Sequence, residues 1–86
     1  MKSITYFYLK GCPDCKKADE ILAQLMEENP RYRNLEIHYI EESANMEYCY
    51  MMDYYYVPCF FVDGVNRHEG KLTKEKLIQV LDLALE

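Results

Sequence analysis

The chain has no apolar stretch approaching the length of a bilayer crossing; its longest near-apolar run, Tyr54 to Val62, is interrupted by Pro58. No membrane role is expected. It also has no basic excess: 10 Lys and Arg stand against 15 Asp and Glu, a net charge of −5. Nucleic-acid partners usually require a basic face, so the balance points away from them and reads as a solvated acidic surface. No internal repeat, linker or low-complexity segment is present. With 50% hydrophobic residues in a chain of 86, disorder is not expected, and residues 1–86 suit one domain with a modest core. The start, Met1-Lys2-Ser3-Ile4, enters a strand pattern without the ordered segments of a secretory leader. The expected setting is the cytoplasm, where a Cys-x-x-Cys pair is more often redox-active or metal-binding than a structural disulfide.

Such a pair is there: Cys12-Pro13-Asp14-Cys15. An aromatic and β-branched run over residues 3–9 leads into it and predicts a strand. Ala18, Ile21, Leu22, Leu25 and Met26 follow at helical spacing and predict a helix from Pro13 to about Glu28. Pro13 suits the first helical turn, where its missing N–H costs nothing, and Asn29-Pro30 ends the helix. Cys12 then falls at a helix N-terminus, where unpaired N–H groups and the dipole favour its thiolate, the form that reacts. Lys10, Lys16 and Lys17 assist and Asp14 opposes. Cys15, one turn on, is placed to displace whatever Cys12 captures.

Leu35, Ile37, Tyr39 and Ile40 predict a second strand, and Glu41 to Asp53 a second helix. Ser43 is its expected cap, with Ala44, Tyr48, Met51 and Met52 on one side. Cys59 to Val62 predicts a short buried strand, Asp63-Gly64 a hairpin turn, and Val65 to His68 the return strand. Gly70 breaks that strand and Thr73 caps a closing helix carrying Leu77, Ile78, Leu81, Ala84 and Leu85. The predicted order is βαβ then αββα: an α/β domain with a four-stranded mixed sheet and helices on both faces.

That order, with Cys12-Pro13-Asp14-Cys15 after the first strand and Val57-Pro58 before the third, resembles the minimal thioredoxin fold of glutaredoxins and small thioredoxin-like proteins. The resemblance covers essentially the whole chain. It implies a thiol–disulfide oxidoreductase, with Cys12 as nucleophile and Cys15 as resolving thiol. It implies a cis bond at Pro58 that turns the Val57 backbone toward an extended substrate. Gly11 and Tyr6 stand where thioredoxins carry a tryptophan and a buried aspartate, and the chain has no tryptophan. Length and Pro13 are closer to glutaredoxins. Of the glutathione-binding elements of that family, Lys10 and Val57 match; Gly70 is followed by Lys71 with no aspartate before the helix. Expected substrate-binding residues are Lys10, Gly11, Pro13, Val57, Pro58 and Gly70. Expected partners are a protein or glutathione mixed disulfide and a reductase or glutathione as donor. No tightly bound cofactor is expected, and the protein is expected to be a monomer.

The remaining cysteines and the tyrosines allow other readings. The same thiols could serve a metal- or cluster-binding module, zinc enlisting Cys12, Cys15, Cys59 and His38 or His68, or two Cys12 thiolates and glutathione holding an iron–sulfur cluster. Zinc sites usually pair Cys-x-x-Cys with a second short-spaced pair, which is absent, so no metal ligand is assigned. A non-catalytic adaptor is disfavoured by the presence of both cysteines. Cys59 is read as a small core residue before a third redox thiol, and Cys49 likewise. Most of the nine tyrosines are expected to pack around the sheet, with Tyr54 and Tyr55 flanking the substrate groove.

Overall fold

The computed structural model describes residues 1–86. A strand β1 (Ile4–Tyr8) runs into helix α1 (Pro13–Glu28), and strand β2 (Ile37–Glu41) returns parallel to β1. A short helix α2 (Met46–Met51) leads to strand β3 (Cys59–Val62), strand β4 (Val65–Glu69) and helix α3 (Lys74–Leu85). The sheet order is β2-β1-β3-β4, with β3 antiparallel to both β1 and β4. The βαβ–αββα order, the mixed sheet and helices on both faces are as the sequence predicts.

Alternation along β1 divides the interior. Ile4 and Tyr6 point with Phe60 and Val62 into the main core, against Ala18, Ile21, Leu22 and Leu25 of α1 and Leu77, Val80, Leu81 and Ala84 of α3. Phe7 points the other way, into a smaller cluster with Cys49, Cys59 and Phe61. The hairpin turn has positive φ at both Asp63 (47°) and Gly64 (80°), the conformation that matches the twist of paired strands and that glycine adopts without strain. No helix is long and apolar enough to cross a membrane.

Several expectations are corrected. Pro30 does not merely end α1; it starts a 3-10 turn, Pro30–Asn34, whose buried Tyr32 donates to Asp82 Oδ1 at 2.6 Å. This turn delays the second strand, leaving Leu35 buried before it. The helix expected over 41–53 is broken into a 3-10 turn, Glu42–Ala44, and α2. Its break is Asn45, at φ −138° and ψ 42°. Ser43 is not the cap: Glu41 caps the turn, accepting from Ala44 N–H at 3.0 Å and from the Ser43 hydroxyl at 2.6 Å. On α2 the buried residue is Cys49, while Tyr48 and Met51 are exposed, because only one turn of this short helix touches the sheet. The tyrosines also depart from expectation: Tyr39, Tyr48, Tyr50, Tyr55 and Tyr56, five of nine, are exposed. Their side chains lie on the edge strand, the short helix and the loop after it, which have no layer above them.

Candidate active site

After β1 the chain reverses through Leu9–Cys12. Cys12 N–H closes the turn onto the Leu9 carbonyl at 3.2 Å, and Gly11 supplies the left-handed φ of 82° that the reversal needs. Cys12 is then the N-cap of α1, with Pro13 at the first helical position. The Cys12 sulfur accepts a hydrogen bond from the Cys15 N–H at 3.4 Å. It takes the place of a capping oxygen, so one of the free amides of the helix end is aimed at the sulfur. Cys12 is half-buried and Cys15 is 2% exposed, so one sulfur faces the surface and the other lies behind it. Burial pushes the Cys15 thiol well above the ordinary range, and the nearby Cys12 and Asp19 charges act in the same direction.

Both cysteines line a cavity of about 520 Å³ together with Lys10, Gly11, Pro13, Lys16 and Asp19. Sequence-predicted Lys10, Gly11 and Pro13 are thus brought together with the thiols. Val57, Pro58 and Gly70 are not part of that wall. They form a second group, at the start of β3, where the Val57–Pro58 bond is cis and Gly70 N–H donates to the Pro58 carbonyl at 2.9 Å. The pairing of Phe7 with Cys59 puts this group beside the end of β1, level with the approach to Cys12. A larger cavity of about 740 Å³, between Leu9 and Tyr55, contains Cys49 but neither Cys12 nor Cys15. The half-buried Cys12 opens onto the smaller one.

Cys59 and Cys49 lie in the smaller apolar cluster. Burial pushes the Cys59 thiol up to about 12, and its sulfur lies 3.7 Å from Asn66 Oδ1. His38 is paired with Glu36, and His68 Nε2 lies 2.9 Å from the Lys71 carbonyl. No three His, Cys, Asp or Glu side chains converge as ligands of one ion.

Three polar devices around the site escaped the sequence. Glu41 Oε2 accepts from Lys10 N–H at 3.0 Å, tying the approach to Cys12 to the end of β2. The Tyr6 hydroxyl, deep under the motif, donates to Asp19 Oδ1 at 2.8 Å and lies 3.3 Å from the Cys15 carbonyl. Asp19 is four residues after Cys15, on the same helical face, but that spacing alone does not set it apart from the other surface acids of α1. Finally, Glu69 Oε1 accepts from Tyr55 N–H at 3.0 Å and Tyr56 N–H at 3.3 Å, while Oε2 accepts from Asn66 Nδ2 at 2.6 Å.

These bonds, led by that from Tyr55, hold the Glu69 carboxyl below its ordinary range. Glu69 is therefore more readily ionised in the folded protein than in the unfolded chain. The anchoring is complete above the ordinary carboxylate range and is lost as pH falls through the folded-state value. Protection of the Tyr55 and Tyr56 amides against hydrogen exchange, taken relative to the intrinsic rate at each pH, should fall on acidification, and Glu69→Gln should show the weakened protection already at neutral pH. Equal protection in the two proteins at neutral pH would contradict this role.

The sequence matches a family model described as thioredoxin domain over residues 4–82. No curated protein matches it. Among solved structures, a malarial protein superposes with a TM-score of 0.75 at 12% identity, covering 100% of this chain and 99% of that one. A mutant thioredoxin from Halobacterium salinarum gives 0.72 at 18% identity, covering 99% and 75%. The oxidised thioredoxin from Plasmodium falciparum gives 0.72 at 15% identity, covering 99% and 82%. These structures share the fold, and the family match spans nearly the whole chain, with the two cysteines inside it: the chain belongs to the thioredoxin-domain family.

Proposed function

We propose that the protein is a dithiol oxidoreductase that cycles Cys12 and Cys15 between dithiol and disulfide and reduces protein or glutathione mixed disulfides. The observation that carries this reading is the half-exposed Cys12 sulfur at the N-terminus of α1, accepting the Cys15 amide at 3.4 Å with the Cys15 thiol buried behind it. The Cys12 thiolate attacks one sulfur of the substrate disulfide; a Cys12–substrate bond forms and the other substrate sulfur leaves as thiolate. Cys15 then loses its proton and attacks Cys12, releasing the second substrate thiolate and leaving a Cys12–Cys15 disulfide. A thiol reductant, from a reductase or glutathione, returns the pair to the dithiol.

Lys10, Gly11 and Pro13 form the wall beside the nucleophile, and Lys10 offers a cation to a substrate carboxylate. The Val57 backbone, at the open start of β3, offers an edge on which an extended segment could pair as an added strand. Pro58, itself buried, and Gly70 fix the chain there, Gly70 N–H donating to the Pro58 carbonyl at 2.9 Å.

Cys15→Ser separates the two steps. Incubated with glutathione disulfide, or with a disulfide-bearing protein such as insulin, the variant should accumulate an adduct on Cys12. Absence of the adduct, or its appearance on Cys49 or Cys59, would overturn the proposal. The relative yield of the two adducts identifies the substrate class.

A further inference from the structure

Resolution requires a buried thiol to give up a proton, and the structure supplies few places for that proton to go. Cys15 is 2% exposed. The polar side chains that share its cavity are Cys12, already bonded to substrate at this stage, the Tyr8 hydroxyl, a phenol oxygen and so a much weaker proton acceptor than a carboxylate, the ammonium groups of Lys10 and Lys16, which have no acceptor lone pair, and Asp19. Asp14, though within the motif, is not part of this wall. Asp19 sits four residues after Cys15 on α1, the spacing that puts side chains side by side with Cβ atoms about 5–6 Å apart. One carboxylate oxygen is fixed by the Tyr6 hydroxyl at 2.8 Å, and the residue itself is open to solvent. Tyr6 is fully buried, stacked on Phe60 at 4.4 Å, and so has little freedom to release its partner.

We infer that Asp19 accepts the proton that Cys15 loses in resolving the Cys12 mixed disulfide, with the Tyr6 hydroxyl holding the carboxylate toward the cavity. This rests on the reading of Cys12 and Cys15 given above. In the step, the Cys15 S–H bond breaks and its proton passes to an Asp19 oxygen. The freed electron pair forms the Cys12–Cys15 bond as the Cys12–substrate bond breaks. The substrate sulfur leaves with that pair and is protonated from water, to which Asp19 later returns its own proton. Asp19 acts on a reacting atom and is a catalytic residue; Tyr6 is a positioning residue. Other titratable groups facing the carboxylate are Tyr8 from β1, Lys10 from the loop after it, Tyr39 from β2, and Cys12 and Lys16 from the start of α1.

A chromogenic aromatic disulfide tests this in one trace. Its first thiolate is released as Cys12 is captured and its second as Cys15 resolves. Asp19→Asn, which preserves shape and can still accept from Tyr6, should leave the first release within about two-fold and slow the second about 100-fold at neutral pH, a typical loss for a general base. With hydroxide left as the acceptor, its second phase should rise about ten-fold per pH unit, more steeply than in the unaltered protein. Formate should restore the second phase in Asp19→Ala. Tyr6→Phe should slow the second phase about ten-fold, the scale of one lost bond to a charged group. Second phases of equal rate and pH slope in Asp19→Asn and the unaltered protein would overturn the inference. So would equal slowing of both phases, which marks a structural role. Failure of the first release in the unaltered protein would instead overturn the proposed function itself.

Discussion

Replacing Cys12 with serine is expected to abolish disulfide reduction, lowering kcat/KM by at least about 10⁴-fold, the scale seen when a covalent nucleophile is removed. Serine preserves the shape of the cap and can accept from the Cys15 amide as the sulfur does at 3.4 Å, so folding should survive. What is lost is the sulfur. A serine hydroxyl stays protonated at neutral pH and cannot form a disulfide with substrate, so neither the capture nor the resolution step remains. Cys15→Ser leaves capture intact and stalls the cycle afterwards. The asymmetry follows from depth: Cys12 is at the surface of the cavity and Cys15 is 2% exposed behind it. Steady-state reduction assays beside single-turnover capture measure both. Equal capture by Cys12→Ser and the unaltered protein would remove Cys12 from the mechanism.

The largest effect on stability is expected at Phe60. It is fully buried in β3, with β1 on one side and β4 on the other, and its ring stacks on Tyr6 with an interplanar angle of 13°. It lies in the main core, on the sheet face covered by α1 and α3. Truncation to alanine removes that packing and leaves a cavity that three layers of structure cannot close, a cost of about 3–5 kcal/mol. A small domain has only about 5–15 kcal/mol in total, so Phe60→Ala should lower Tm by roughly 12–40 °C at about 4–8 °C per kcal/mol. Val65→Ala, at a 49% exposed position of the edge strand, is the control and should cost no more than about 0.5 kcal/mol. Thermal or denaturant unfolding of the two variants side by side provides the check, and similar losses would contradict the placement of the core.

The parts of the fold legible in the sequence are those specified by local chemistry. Cys12 and Pro13 mark a helix start by themselves, Asp63-Gly64 dictates its own turn, and the stripes of α1 and α3 show which face each buries. Residues 41–53 were illegible because no single face there is buried along its length. Asn45 breaks the helix, and the Tyr54 ring stacks on Phe7 at 4.8 Å, an anchor beyond the helix that no periodicity reveals. The exposed tyrosines depart from expectation for a related reason: a tyrosine packs or faces water according to whether another layer covers it, and composition does not record layers.

In the site, the two thiols and Lys10, Gly11 and Pro13 could be read because they are contiguous. Asp19 could not, since an acid at the polar edge of an amphipathic helix reads as solvated surface until the Tyr6 hydroxyl, from another element, is seen donating to it. Glu69 was hidden likewise: its partners, the Tyr55 and Tyr56 amides, reach it only when β4 pairs with β3. Side chains whose role depends on a distant backbone group leave no local trace.

A redox titration of the unaltered protein, poised in a series of thiol–disulfide buffers and followed by mass spectrometry after alkylation, bears on the sulfur pair itself. A single two-electron transition is predicted, with a loss of about two mass units on oxidation and the bond mapped to Cys12 and Cys15, while Cys49 and Cys59 stay as thiols. A protein in which Cys12 and Cys15 both remain alkylatable under every oxidising buffer, or whose disulfide maps to another pair, would contradict the dithiol mechanism.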